Sequence, residues 1–152
     1  MTQSRPSTPL TESQLSFDKE DWASAYQNVE KELNQVELKA EKGFIPPELF
    51  GTLFRNGPAR IERNDHWVHH PFDGDGMIAS IYFNDGKASF SNKFVRTQAW
   101  VEEEAAGRFL YRGVFGTQKE GGVFANAFDV RLKNIANTNV VQLGEELLAL
   151  WE

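Results

Sequence analysis

The sequence contains no cysteine. That excludes a disulfide framework and any thiolate chemistry, catalytic or metal-binding. Positive charge is also short: sixteen Lys and Arg stand against twenty-two Asp and Glu, a formal charge of −6. Such a balance supplies no clustered cations for phosphate, so a nucleic-acid partner is excluded. No apolar run reaches membrane-spanning length. The stretch Met1–Gln14 (MTQSRPSTPLTESQ) lacks the apolar core of a signal peptide. The expectation is a cytoplasmic protein, at most peripheral on a membrane surface. Gly-x-Ser-x-Gly, a phosphate loop and a dinucleotide fingerprint are all missing.

What is present is an ordinary globular composition with many large side chains. Hydrophobic residues make up 40% of the chain, aromatics 12%, and there are twelve Phe and four Trp. The strongest local signal lies in His69–Thr97 (HHPFDGDGMIASIYFNDGKASFSNKFVRT). Gly76–Phe83 is apolar on both faces, so it expects cover on both. Lys87–Val95 alternates, with Ala88, Phe90, Asn92 and Phe94 on one side and Ser89, Ser91, Lys93 and Val95 on the other. Its more polar side places it nearer a sheet edge. Asn84-Asp85-Gly86 between them reads as a three-residue hairpin loop closed by glycine.

Around this hairpin the chain reads as follows. Residues 1–16, rich in Ser, Thr, Pro and Gln, form a disordered tail. Residues 17–152 form one folded segment. Trp22, Tyr26, Val29 and Leu33 recur at helical spacing, predicting a helix over Asp18–Leu33. Gln35–Lys42 alternates as a half-exposed strand. Gly51–Arg55 is a short strand stopped by Asn56-Gly57-Pro58. Gly116–Gly122 reads as a flexible loop. Val123–Asn134 carries apolar residues at helix-like intervals, and Val140–Leu143 with Leu147–Trp151 suggests a second hairpin. The chain ends at Glu152 inside strand-like sequence, where natural domains usually finish in a turn or a polar tail.

The densest chemical cluster is His66, His69, His70, Asp73 and Asp75. Imidazole and carboxylate suit divalent metals. Adjacent His69 and His70 would point to opposite sides of a strand. Asp73-Gly74-Asp75-Gly76 opens like a calcium loop, but Met77 and Ile78 stand where an oxygen ligand and a glycine are needed. A polar turn in which the Asp side chains accept backbone N–H bonds explains it better. Glu102–Glu104 reads as a solvated surface. A glycine-rich loop leading into Phe115–Phe128 could lie in a membrane interface.

Five stretches in order carry a resemblance: Gly51–Pro58 (GTLFRNGP), Pro71–Met77 (PFDGDGM), Lys93–Thr97 (KFVRT), Asn137–Val141 (NTNVV) and Leu147–Glu152 (LLALWE). From about Trp22 to Glu152 the sequence resembles the N-terminal part of a carotenoid cleavage oxygenase. The resemblance implies an all-β fold with a few short helices, an incomplete portion of a seven-bladed β-propeller comprising the first blade and part of a helical cap. It implies a family activity in which Fe(II), held by four His, and O2 cleave a C=C bond of a carotenoid or apocarotenoid. The family's iron ligands all lie beyond Glu152, so the chain alone is expected to be inactive and no catalytic or metal-ligating residue carries over. Glu152 resembles the carboxylate that accepts a hydrogen bond from an iron-bound His. Phe72 and Trp151 match aromatics lining the polyene tunnel. Phe115, Val123, Phe124 and Phe128 fall where relatives present an apolar patch to the membrane. Arg55, Asn56, Asp73, Asp75 and Arg96 read as structural. The alternatives are a non-catalytic carotenoid- or membrane-binding remnant, or one half of a split oxygenase completed by a second polypeptide.

Overall fold

A computed structural model describes residues 26–127, 129 and 131–151. The expected tail over 1–16 lies outside them, as do Phe128 and Glu152. Eight strands and two short helices are arranged about one four-stranded antiparallel sheet and two small hairpins among the described residues. In chain order the strands are β1 (Leu33–Leu38), β2 (Gly51–Arg60), β3 (Glu62–Arg63), β4 (His66–Trp67), β5 (Asp75–Asn84), β6 (Lys87–Phe94), β7 (Asn139–Leu143) and β8 (Glu146–Leu150). The helices are α1 (Gln98–Ala106) and α2 (Gly122–Asn126). The main sheet runs β1-β6-β5-β2.

The central hairpin forms as its sequence dictates, with one change. Asn84 pairs with Lys87, so only Asp85 and Gly86 make the loop. Both have positive φ, 48° and 70°, which matches the twist of the flanking strands. Strand β6 is interior, because β1 pairs along its far side. Its alternation is real, however: Ala88, Asn92 and Phe94 are buried. The polar face signals exposure of a sheet face, and it carries no information about the edge.

Strand β2 does not stop at Asn56-Gly57-Pro58 but runs on to Arg60. It is an edge strand, where a residue without N–H is tolerated, and the register shifts between Pro58 and Arg60. The helix expected over Asp18–Leu33 is absent from its described part. Residues 26–32 have no regular secondary structure and lead into β1. Asn28 decides this. Its Oδ1 accepts the N–H groups of Ile61 (2.8 Å) and Glu62 (3.1 Å), and the Val29 N–H donates to the Ala59 carbonyl. Residues Asp18–Ala25 lie outside the described part. The longer helical reading of Val123–Asn134 shrinks to α2. There the Asn126 amide donates to the Lys119 and Gly122 carbonyls and its Oδ1 accepts the Lys119 N–H.

Among the described residues, two small apolar clusters stand out in the core. Ala59, Met77 and Phe94 pack together with Val29 and Trp100. Ile61, Val68 and Phe109 form the other.

Candidate functional site

Three glutamates in a row were expected at the surface, but Glu103 is wholly buried. It shares the buried face of α1 with Ala99, one turn earlier. Its Oε1 accepts the N–H groups of Leu110 (2.9 Å) and Tyr111 (3.1 Å). Its Oε2 meets Lys133 Nζ at 2.6 Å and Arg63 at 3.6 Å. Asp75 completes the group: Arg63 lies 2.9 Å from its Oδ2, and Lys133 Nζ lies 2.8 Å from Oδ2 and 2.7 Å from Oδ1. Two cations thus balance two carboxylates in the interior, the only condition under which such burial is tolerable. Phe109 offers its ring face to both cations, 5.4 Å from Arg63 and 5.6 Å from Lys133. The four residues tie together β3, the start of β5, α1 and the segment before β7.

Asp73 is likewise buried. Its carboxylate accepts the Phe115 N–H (2.9 Å), the Thr117 N–H (3.0 Å) and the Thr117 hydroxyl (2.7 Å). The Asp-Gly motif is therefore a structural staple that fastens residues 115–117 to the short 3-10 turn Pro71–Asp73. Asn137 closes the same corner by donating to the carbonyls of Phe72 (2.9 Å) and Gly74 (2.7 Å). Asn56 bridges β2 to the next segment through the carbonyls of Ala136 and Asn139, both at 2.8 Å. Arg96 pairs with Glu32 at 2.9 Å and holds that carboxyl below the usual carboxylate range. Arg55 is exposed on β2.

These staples shape a cavity of about 370 Å³ walled by Phe72, Phe115 and Trp151, with Pro58, Ile135 and Thr138. Phe72 and Phe115 meet edge to face, their ring centroids 5.7 Å apart. The structure thus brings the two residues expected to line a tunnel to one wall and sets Phe115 beside them. Val123 and Phe124 are elsewhere, at α2, and are 78% and 95% exposed.

The histidines do not converge. His66 Nε2 lies 3.8 Å from Glu120. The His69 N–H donates to Thr117 Oγ1. His70 Nδ1 accepts the Phe72 N–H at 3.1 Å, which occupies the lone pair a metal would need. Among the described residues no group of three or more His, Asp or Glu could hold a metal ion. These side chains do not fit an iron centre. Nor is any described helix long and apolar enough to cross a membrane.

The described residues thus form a mainly antiparallel β fold with few helices and a mostly apolar cavity that carries three aromatic rings. The chain belongs to the family described as RPE65, retinal pigment epithelial membrane protein, whose model matches residues 26–152. It is 51% identical over 141 residues to the apocarotenoid-15,15'-oxygenase of Synechocystis, covering 92% of this chain and 29% of that enzyme. It is 36% identical over 129 residues to resveratrol cleavage oxygenase 1 of Aspergillus fumigatus, covering 82% of this chain and 23% of that protein. The crystal structure of cobalt-substituted Synechocystis apocarotenoid oxygenase superposes with a TM-score of 0.82 at 51% identity, over 88% of this chain and 28% of that one. The chain therefore corresponds to the N-terminal part of a β-propeller protein, little more than a quarter of its length.

Sequence reasoning missed Glu103, Lys133 and the contacts of His70. The first left a signal: Ala99 and Glu103 are four apart and so share a helix face. Lys133 left none, because its partners lie 30 and 58 residues away, and the stacking of His70 on Phe115 left none, because Phe115 lies across a long stretch of chain.

Proposed function

We propose that this chain supplies the N-terminal wall of the substrate cavity of an oxygenase that cleaves a C=C bond of a carotenoid or apocarotenoid with O2. The observation that carries the reading is the juxtaposition of Phe72, Phe115 and Trp151 around one cavity, in a sequence half identical to an apocarotenoid oxygenase. A conjugated chain offers little to hydrogen-bond, so flat apolar walls are what recognise it. The iron and its histidines belong to the portion of the relatives that this chain does not span, and Glu152 orients one of those histidines. On this reading the chain binds polyenes but turns none over by itself.

All-trans-retinol tests this directly, since its fluorescence is excited by energy transfer from a nearby Trp. The purified chain should show saturable transfer that Trp151→Phe reduces by more than the loss of any one of the other three Trp. Transfer that persists undiminished in this variant would place the ligand elsewhere.

One observation favours a second role for the same protein. Val123 and Phe124 project from α2, on a loop braced by the Asn126 bonds and by the Lys119–Asp129 ion pair. An apolar tip held rigidly at the surface suits shallow insertion into a lipid interface. We read it as the point where a lipophilic substrate is collected by a cytoplasmic, peripherally bound protein. Flotation with phosphatidylcholine vesicles should fall when both residues become Ser.

A further inference from the structure

Two rings of the cavity wall are poorly held by their surroundings. Phe72 is 56% exposed and Phe115 is 48% exposed. Their backbones are fixed by the Asp73 and Asn137 bonds described above, but a fixed backbone does not fix a rotamer. Half-exposed aromatics of this kind are free to swing across a cavity mouth.

One side chain restrains both. The His70 ring lies nearly parallel to Phe115, with centroids 5.1 Å apart and planes 29° apart. The same ring meets Phe72 edge on at 4.8 Å and 70°. The imidazole is itself locked, because its Nδ1 accepts the Phe72 N–H while His70 caps the turn Pro71–Asp73. That bond makes Nδ1 an acceptor and leaves the ring proton of the neutral form on Nε2. His70 therefore does two separable things. Its nitrogen caps a turn, and its ring packs against two aromatics that also meet each other edge to face.

We infer that His70 is a positioning residue for the aromatic wall, its ring holding Phe72 and Phe115 in the orientations that leave a slot for a flat polyene beside Trp151. This rests on the polyene reading of the cavity. The residue acts through its neighbours, not on the ligand.

Two substitutions separate the two roles. His70→Asn keeps an oxygen acceptor for the N–H two residues on, as Asn does in turns, but removes the ring. His70→Phe keeps the ring and removes the acceptor. His70→Asn should melt like the unsubstituted chain and bind all-trans-retinol about threefold to tenfold more weakly, the worth of an aromatic contact. His70→Phe should bind within about twofold of the unsubstituted chain. Equal affinity in His70→Asn and the unsubstituted chain would overturn the inference and reduce His70 to a cap. A ligand-free readout keeps the test separate from the polyene reading. Nuclear Overhauser contacts between the Phe72 and Phe115 rings should be present in the unsubstituted chain and His70→Phe, and lost in His70→Asn. Contacts retained in His70→Asn would overturn the inference as well. If the unsubstituted chain binds no retinol, the polyene reading fails, and the ring contacts alone decide the role of His70.

Discussion

At the scale of residues, Lys133 is where the interior charge balance turns. It is 3% exposed and sits between Asp75 and Glu103. Lys133→Met leaves those carboxylates with Arg63 alone and should cost about 3–5 kcal/mol, the range for breaking a buried pair from one side. Lys133→Arg should recover most of that loss in the same urea titration. The surface pairs behave differently and reveal themselves through pH. Arg96 holds Glu32 below its ordinary value by a hydrogen bond, and the Tyr111 hydroxyl does the same for Glu102. A carboxyl with a depressed native pKa contributes stability that is present above the unfolded pKa and lost as pH falls through the native one. The urea midpoint should therefore drop between about pH 6 and about pH 3.5, and drop less in Arg96→Met. Equal drops would show that the pair contributes nothing. Little of this was legible beforehand. A run of three Glu looks solvated until Glu103 is recognised on the face of Ala99, and its cations come from β3 and from 30 residues downstream.

At the scale of elements, the start of β5 and the segment before β7 approach each other backbone to backbone. Gly76 donates its N–H to the Ile135 carbonyl at 2.8 Å. A Cβ at this position would stand 2.1 Å from the Ala136 carbonyl oxygen and 2.6 Å from its carbon. Both neighbours are backbone and cannot swing away. Gly76→Ala should destabilise by about 3 kcal/mol or more, as severe overpacking does, whereas Gly57→Ala, with open space around it, should be nearly silent in the same melt. The central hairpin was readable because its information is local: Asp85-Gly86 supplies the positive φ values and alternation supplies the faces. The second hairpin was readable for the same reason, Gly144 taking φ 62° at its turn. The helix over Asp18–Leu33 was not. Within its described part, apolar residues at three- and four-residue spacing meet an irregular path that Asn28 fastens to β3, and of them Val29 packs against the core. The end of β2 was misplaced because proline stops a central strand but not an edge.

At the scale of the whole molecule, apolar sheet faces left exposed among the described residues set the behaviour. Leu33, Val36 and Leu38 of edge strand β1 are all more than a third exposed, and so are Leu143, Leu148 and Leu150 of the β7–β8 hairpin. Phe44 and Phe50 are 81% and 74% exposed. Open edges and apolar faces of this kind invite association. The isolated chain should bind a hydrophobic dye such as anilinonaphthalene sulfonate and elute from a sizing column as more than a monomer. A dye-silent monomer would contradict that. The family and the β class could be read from five short motifs, because those motifs encode turns and staples that the fold needs. The cavity could be read only in part: Phe72 and Trp151 were placed by resemblance, while Phe115 joined them through the Asp73 staple, which spans 42 residues.

The central claim is that these residues line a polyene cavity without holding the metal that acts on its contents. The most direct test is the iron content of the purified 152-residue chain, measured together with its turnover of an apocarotenal in air. The account predicts iron far below one equivalent and no cleavage product. One tightly held iron per chain with sustained cleavage would contradict it.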